Sequence, residues 1–223
     1  IGILDALDED AAVLDASLEI AESALERGES EAGIHFLERA ARAAEIVDEN
    51  TRASQLYERA AGLVDGEDRE AKVRRARLLR RAARAAVDER TLLLARTRLD
   101  TARELMARSL ELLEQVPSGR TYSAEYEKGD WHDDMAWILW RTDENREALE
   151  HCAAAAEGYM STRDRDSAAR PLALAATVCN ELGDEEATRQ AIAQVRALLS
   201  HDKWSEHPAL RHVDRLEAEL DED

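Results

Sequence analysis

The chain has 223 residues, of which 44% are hydrophobic and only 4% aromatic, and its 30 basic and 49 acidic side chains give a formal charge of −19. Enough apolar side chains are present for a substantial core. With β-branched residues sparse and no long alternating run, that core has to come from Ala and Leu on helices, which argues against strand-built folds. The charge disfavours nucleic acid and anionic membrane as partners, and no stretch approaches the roughly 20 apolar residues of a membrane span. A protein or peptide partner of neutral or basic character is therefore expected.

In chain order, Ala12, Leu14, Leu18, Ala21 and Leu25 keep helical spacing over residues 8–27, and Gly28 supplies the left-handed residue that closes the helix. Ser30 is the expected cap of the next helix, 30–47, whose Ile34, Leu37, Ala41 and Ala44 recur at three and four residues. His35, alone on this helix, reads as a surface or packing residue. A second pair starts at Asn50, another expected cap. It passes Leu56, Ala60 and Leu63 to the turn VDGED and resumes at Asp68 through Val73, Ala76, Leu79, Ala83 and Ala86.

Opposite that last apolar stripe stand Arg74, Arg77, Arg81 and Arg84, within a segment (69–108) that holds 13 basic and 5 acidic residues. The leading reading pairs these arginines with carboxylates of neighbouring helices. The other lets the strip meet an anionic partner or a second copy of the chain; nucleic acid is disfavoured, because no aromatic residues or recognition fold accompany the strip.

Residues 88–115 contain neither glycine nor proline, and we expect two helices there, divided around Asp100 and Thr101. Residues 117–129, with Pro117, Ser118 and Gly119 at their start, read as the longest connection and as the hinge between blocks 1–116 and 130–223. Asp130 then restarts the helix, with Asp133 in its first turn. At 100° per residue, Trp131, Met135, Ile138 and Leu139 fall on one side of this helix, and Asp133, Trp137, Trp140 and Arg141 on another. One face can pack and the other can bind. A helix over 146–159 completes this hairpin, and a further hairpin covers 171–181 and 184–199, with Asp166 or Ser167 as the start of its first helix and Pro171 in its first turns. An amphipathic helix over 206–220 covers the end of the stack, and Trp204 before it reads as a packing anchor.

Catalytic patterns are missing from the sequence: it has no Gly-rich phosphate loop, no nucleophile elbow and no HExxH. His132, Asp133 and Asp134 are consecutive on a helix and point in different directions, and Glu147 to His151 differs from the Glu-x-x-His spacing of di-iron bundles. Cys152 and Cys179 lack the spacing of a metal or redox pair and read as reduced core thiols. The chain is thus expected to be no enzyme and to hold no cofactor and no metal. No basic-then-apolar leader opens it, so the expected compartment is the cytoplasm. Opening on Ile1 rather than Met, it reads as a piece of a longer protein.

The hairpins also align with each other. Ala136 precedes Ala176 by 40 residues, Asp143 precedes Gly183 by 40, Ala148 precedes Ala187 by 39, and Gly28 precedes Gly66 by 38. Together with Trp137, Leu139, Ala155 and Leu172, and the weaker echoes ALERGESEAG and QLYERAAGLVDGED, these residues resemble the tetratricopeptide-repeat superfamily. The likeness is to its longer-helix relatives, such as the helical stacks of SNAP-type adaptors and large bacterial transcription activators. The period exceeds the usual 34 residues, Asp143 stands at the loop glycine, and the closing proline is absent. The resemblance implies an all-α superhelix of about nine to eleven helices, in antiparallel hairpins. Its first helices would line a concave groove holding a peptide or a partner's helix, carried here by Asp133, Trp137, Trp140, Arg141, Ala173, Thr177 and Asn180. A non-catalytic interaction scaffold is the leading expectation; a ligand- or peptide-sensing domain of a larger transcriptional regulator is second, and an enzyme with a pocket in the stack is third.

Overall fold

The computed structural model of the protein describes residues 2–88, 92–117, 123–201 and 204–222, and among these it contains eleven α-helices and no strand. The chain divides into two compact units, Ile1–Pro117 and Ser118–Asp223. The first holds α1 (Gly2–Glu26), α2 (Ser30–Ile46), α3 (Asn50–Leu63), α4 (Arg69–Val87), the short α5 (Leu92–Thr97) and α6 (Leu99–Glu114). The second holds α7 (Ala124–Arg141), α8 (Asn145–Ser161), α9 (Arg165–Glu181), α10 (Glu185–Leu198) and α11 (Pro208–Glu222). Successive helices pack on each other in both units; α4 also packs on α6, and α9 touches α7 and α11 as well as its sequence neighbours.

One turn, used five times, sets this pattern. Gly28, Asp48, Asp143, Arg163 and Gly183 all take a left-handed conformation, with φ between 61° and 75°. In each case the next N–H reaches back to the carbonyl five residues earlier: Glu29 to Ala24 (2.9 Å), Glu49 to Ala44 (2.8 Å), Glu144 to Leu139 (2.8 Å), Asp164 to Tyr159 (3.0 Å) and Asp184 to Cys179 (3.0 Å). These bonds satisfy carbonyls that a helix end otherwise leaves open. The residue donating each one is acidic and stands immediately before the next helix, where a negative charge faces the positive end of the helix dipole. Asp164 and Asp184 also cap through their side chains, to Ser167 and Ala187, whereas Glu29, Glu49 and Glu144 do not. Asp48 follows Gly28 by 20 residues, and Asp143, Arg163 and Gly183 stand 20 apart. A helix of 17 residues, as α2, α8 and α9 are, plus a three-residue link accounts for that spacing. Two such steps make the 40-residue hairpin.

The cores are alanine-rich, which lets helices approach closely. In the second unit Ala136, Ile138, Leu139, Ala148 and Ala155 are fully buried, and Trp131 and Met135 nearly so, as the helical face predicts. Near the start of the α7–α8 pair two glycines oppose each other. A Cβ on Gly158 would come within 3.0 Å of both the Gly129 Cα and the Glu125 carbonyl, so these backbones pack without side chains between them. Cys152 and Cys179 are buried and unbridged, and Trp204 packs against the core under α11.

Several sequence expectations need correction. The helix restart at Asp130 is wrong: Ser123 caps α7, accepting from the Tyr126 N–H at 3.1 Å, so 124–129 are helical and Gly129 lies at a helix crossing. Of the proposed 117–129 connection, 118–122 lie outside the described residues. The division in 88–115 falls at Arg98, whose N–H bonds to the Ala95 carbonyl at 3.0 Å, and neither Asp100 nor Thr101 serves as the cap. Ser30 and Asn50 are first helical residues rather than caps. Asn50 is buried, and its Nδ2 donates to the Asp88 carbonyl, tying the start of α3 to the end of α4. The start expected at Asp166 or Ser167 falls at Arg165, with Pro171 in the second turn of α9.

Among the described residues no helix is long and apolar enough to cross a membrane. In the arginine strip, Arg74 pairs with Glu31 (2.6 Å) and Glu38 (3.6 Å), and Arg81 with Glu38 (3.6 Å) while lying 5.9 Å over the Tyr57 ring. Arg77 is exposed and Arg84 half-buried.

Candidate functional site

Helices α7, α9 and α11 share one side of the second unit, because α9 touches both of the others while α8 and α10 fill the hairpins between them. Most of the residues singled out in the sequence lie on this side. Asp133 is largely covered and pairs with Arg170 Nη2 at 3.3 Å. The Arg141 guanidinium lies 5.7 Å from the Trp137 ring, and Trp140 donates its indole N–H to Glu181 at 2.9 Å, bridging α7 to α9. Both rings are half-buried. Ala173 is buried in a cavity wall, Asn180 is half-buried, and the Thr177 hydroxyl donates to the Ala173 carbonyl at 3.2 Å. Since that bond takes the Thr177 proton, the contact with His212 Nε2 at 2.8 Å requires the histidine to be the donor. Asp133, Ala173 and Thr177 thus gather near Arg170, Trp137 and Arg141 stack together, and Trp140 reaches the far end of α9.

The centre of this face is a group that sequence reasoning missed. Tyr159 is fully buried, with its hydroxyl donating to Asp130 at 2.5 Å and accepting from Arg170 Nη2 at 2.9 Å. Arg170 lies 5.7 Å over the Tyr159 ring and 3.6 Å from Asp130, so its charge sits between two carboxylates and an aromatic face. Burial, then the neighbouring Asp133 and Asp130 charges, push the Tyr159 phenol far above its ordinary value, and it stays protonated. Tyr126 packs edge-on to Tyr159 at 5.3 Å and meets Ser167 at 3.3 Å.

Beside Arg170 a cavity of about 400 Å³ is walled by Asp166, Ser167, Arg170 and Ala173 of α9 and by His207, Pro208, Ala209 and His212 at the start of α11. His207 Nδ1 accepts the Ala209 N–H at 3.1 Å, so the proton is on Nε2, which donates to Asp166 at 2.7 Å. Asp166, Arg170, Ala173, Thr177 and Asn180 follow one another at four, three, four and three residues. That stripe is readable in the sequence, which offers Asp166 or Ser167 as the start of this helix.

His132 and His151, from α7 and α8, bring their Nδ1 atoms to 2.9 Å, with Trp131 against both rings. Burial and the neighbouring His151 and Lys128 charges lower the His132 pKa to about 4, so this ring is neutral at pH 7. No group of three or more potential metal ligands occurs among the described residues.

No protein-family model matches the chain, and no curated protein matches it significantly.

Proposed function

We propose that residues 118–223 form a non-catalytic binding module of the tetratricopeptide-like kind, holding a peptide or partner helix along the side made by α7, α9 and α11. The observation that carries this reading is the layout of that side. Trp137 and Trp140 are half-buried on α7, Arg141 stacks on the first and Glu181 binds the second, and the row continues into the cavity beside Arg170. Rigid indoles flanked by charged donors and acceptors give large contact area with few rotamers to fix. Twenty-residue steps between turns, with alternate helices on one side, are what a superhelical stack of hairpins requires. The partner is a neutral or basic segment, since an acidic protein repels an acidic one.

A second reading, a ligand-sensing domain, is favoured by the cavity, whose size is that of a small-molecule site. The peptide reading is tested by titrating the chain with a displayed peptide library and repeating the titration with Trp137→Ala. We expect the selected peptides to bind the variant at least tenfold more weakly with thermal unfolding nearly unchanged. Unchanged affinity together with a large drop in melting temperature would make Trp137 a packing residue and remove the peptide face.

A further inference from the structure

Asp166 and Arg170 stand four residues apart on α9, a spacing at which opposite charges on a helix ordinarily close on each other. Here each is held elsewhere. Asp166 accepts from His207 at 2.7 Å, while Asp133 (3.3 Å), Asp130 (3.6 Å) and the Tyr159 hydroxyl (2.9 Å) hold Arg170. Both line the cavity of about 400 Å³, so its wall carries one positive and one negative group that do not neutralise each other. Among the described residues Arg170 donates a hydrogen bond from Nη2 alone, to Tyr159, whose ring it also covers, and its Nε and Nη1 donate none; Asp166 accepts from His207 through Oδ1. His207 contributes no charge, because its Nδ1 accepts the Ala209 N–H and only Nε2 carries a proton.

We propose that this cavity binds a zwitterion of amino-acid or dipeptide size, its carboxylate on the unused donors of Arg170 and its ammonium on Asp166. The proposal rests on reading this side of the second unit as a binding surface. Residues 118–223 carry 12 basic and 24 acidic side chains, a net −12, which draws an ammonium group in and repels a ligand bearing a carboxylate alone. Ala173, Pro208 and Ala209 supply a small apolar wall for a short side chain. The volume lies near the lower end of the range of small-molecule sites, roughly 300–1,000 Å³.

The test is calorimetric titration of the whole chain with L-alanine, L-leucine and Ala-Ala, set against N-acetyl-L-alanine and L-alaninamide. Free forms should bind, and each blocked form should bind at least tenfold more weakly. Asp166→Asn, at an exposed position, should bring the free amino acid down to the level of its N-acetyl form without moving the melting temperature. No binding of any free form at concentrations up to about 10 mM, weaker than most specific small-ligand sites, overturns the proposal. So does equal binding of free and N-acetyl forms, which would leave a carboxylate site only. Neither result touches the peptide face, which stands or falls with the Trp137→Ala titration.

Discussion

Helices two or three apart in the first unit are tied by arginine–carboxylate pairs at the surface: Arg59 to Glu22, Arg74 to Glu31 and Arg108 to Glu58. In the second unit the Arg170 pairs with Asp130 and Asp133 are joined by ties through aromatic and neutral polar groups. Trp140 reaches Glu181, Tyr126 reaches Ser167, Thr177 reaches His212, and the buried Tyr159 joins Asp130 to Arg170. Helical hairpins thus support two surface chemistries. Exposed ion pairs contribute little and tolerate change, whereas a buried network needs every member satisfied. That contrast is why the second unit is the place to look for binding.

The largest test of this contrast compares glycines. Gly158→Leu must force α7 and α8 apart and should cost about 3 kcal/mol in chemical denaturation, as overpacking of a tight contact does. Gly62→Ala, on α3 where nothing lies within 4 Å of the added carbon, should instead gain up to about 1 kcal/mol. If both changes proved neutral, the close crossing would not exist. Next is Tyr159→Phe, which removes one hydroxyl from between a carboxylate and a guanidinium and should cost about 2 kcal/mol. Glu58→Gln, which breaks a surface pair, should cost less than about 0.5 kcal/mol. Equal losses would erase the distinction between the units.

A pH titration of stability probes the second unit again. The His132 pKa is lowered to about 4 from an ordinary 6.5, so between these values the unfolded chain binds more protons than the folded one. Stability should therefore fall as pH drops through that window, by on the order of 1 kcal/mol once screening of a half-exposed ring is allowed for. His132→Gln should flatten the slope, and an unaltered slope would move its cause to other groups. The last test is at a turn. Arg163 holds a left-handed conformation at φ 63° that glycine adopts without strain, and Arg163→Gly should raise stability by up to about 1 kcal/mol in a melting curve.

Helix class, the hairpin period and the packing side of α7 were legible in the sequence because they depend on spacing alone. Gly28 has the left-handed φ expected of it at a helix end, and Gly183 shares that conformation. Gly129 carried the same punctuation value on paper and has a different one in the folded chain, where it is needed at the point two backbones meet at Gly158. Local propensity treats such a glycine as a break, and only a neighbouring helix can reverse that. Ser30 and Asn50 likewise had the chemistry of caps, but the turn bonds of Glu29 and Glu49 occupy that place.

The candidate site was half legible for the same reason. Asp133, Trp137, Ala173 and Thr177 follow from periodicity within single helices. Arg170, Tyr159, His207 and His212 join them only because α8, α9 and α11 come together, from positions as far apart as Asp130 and His212. Composition and spacing, acting along one helix at a time, determined the all-α repeat and the faces available to it. Which side chains share a charge, a proton or a cavity wall was decided by packing between helices, since hydrogen bonds and ion pairs depend on distances in space that spacing along the chain does not fix.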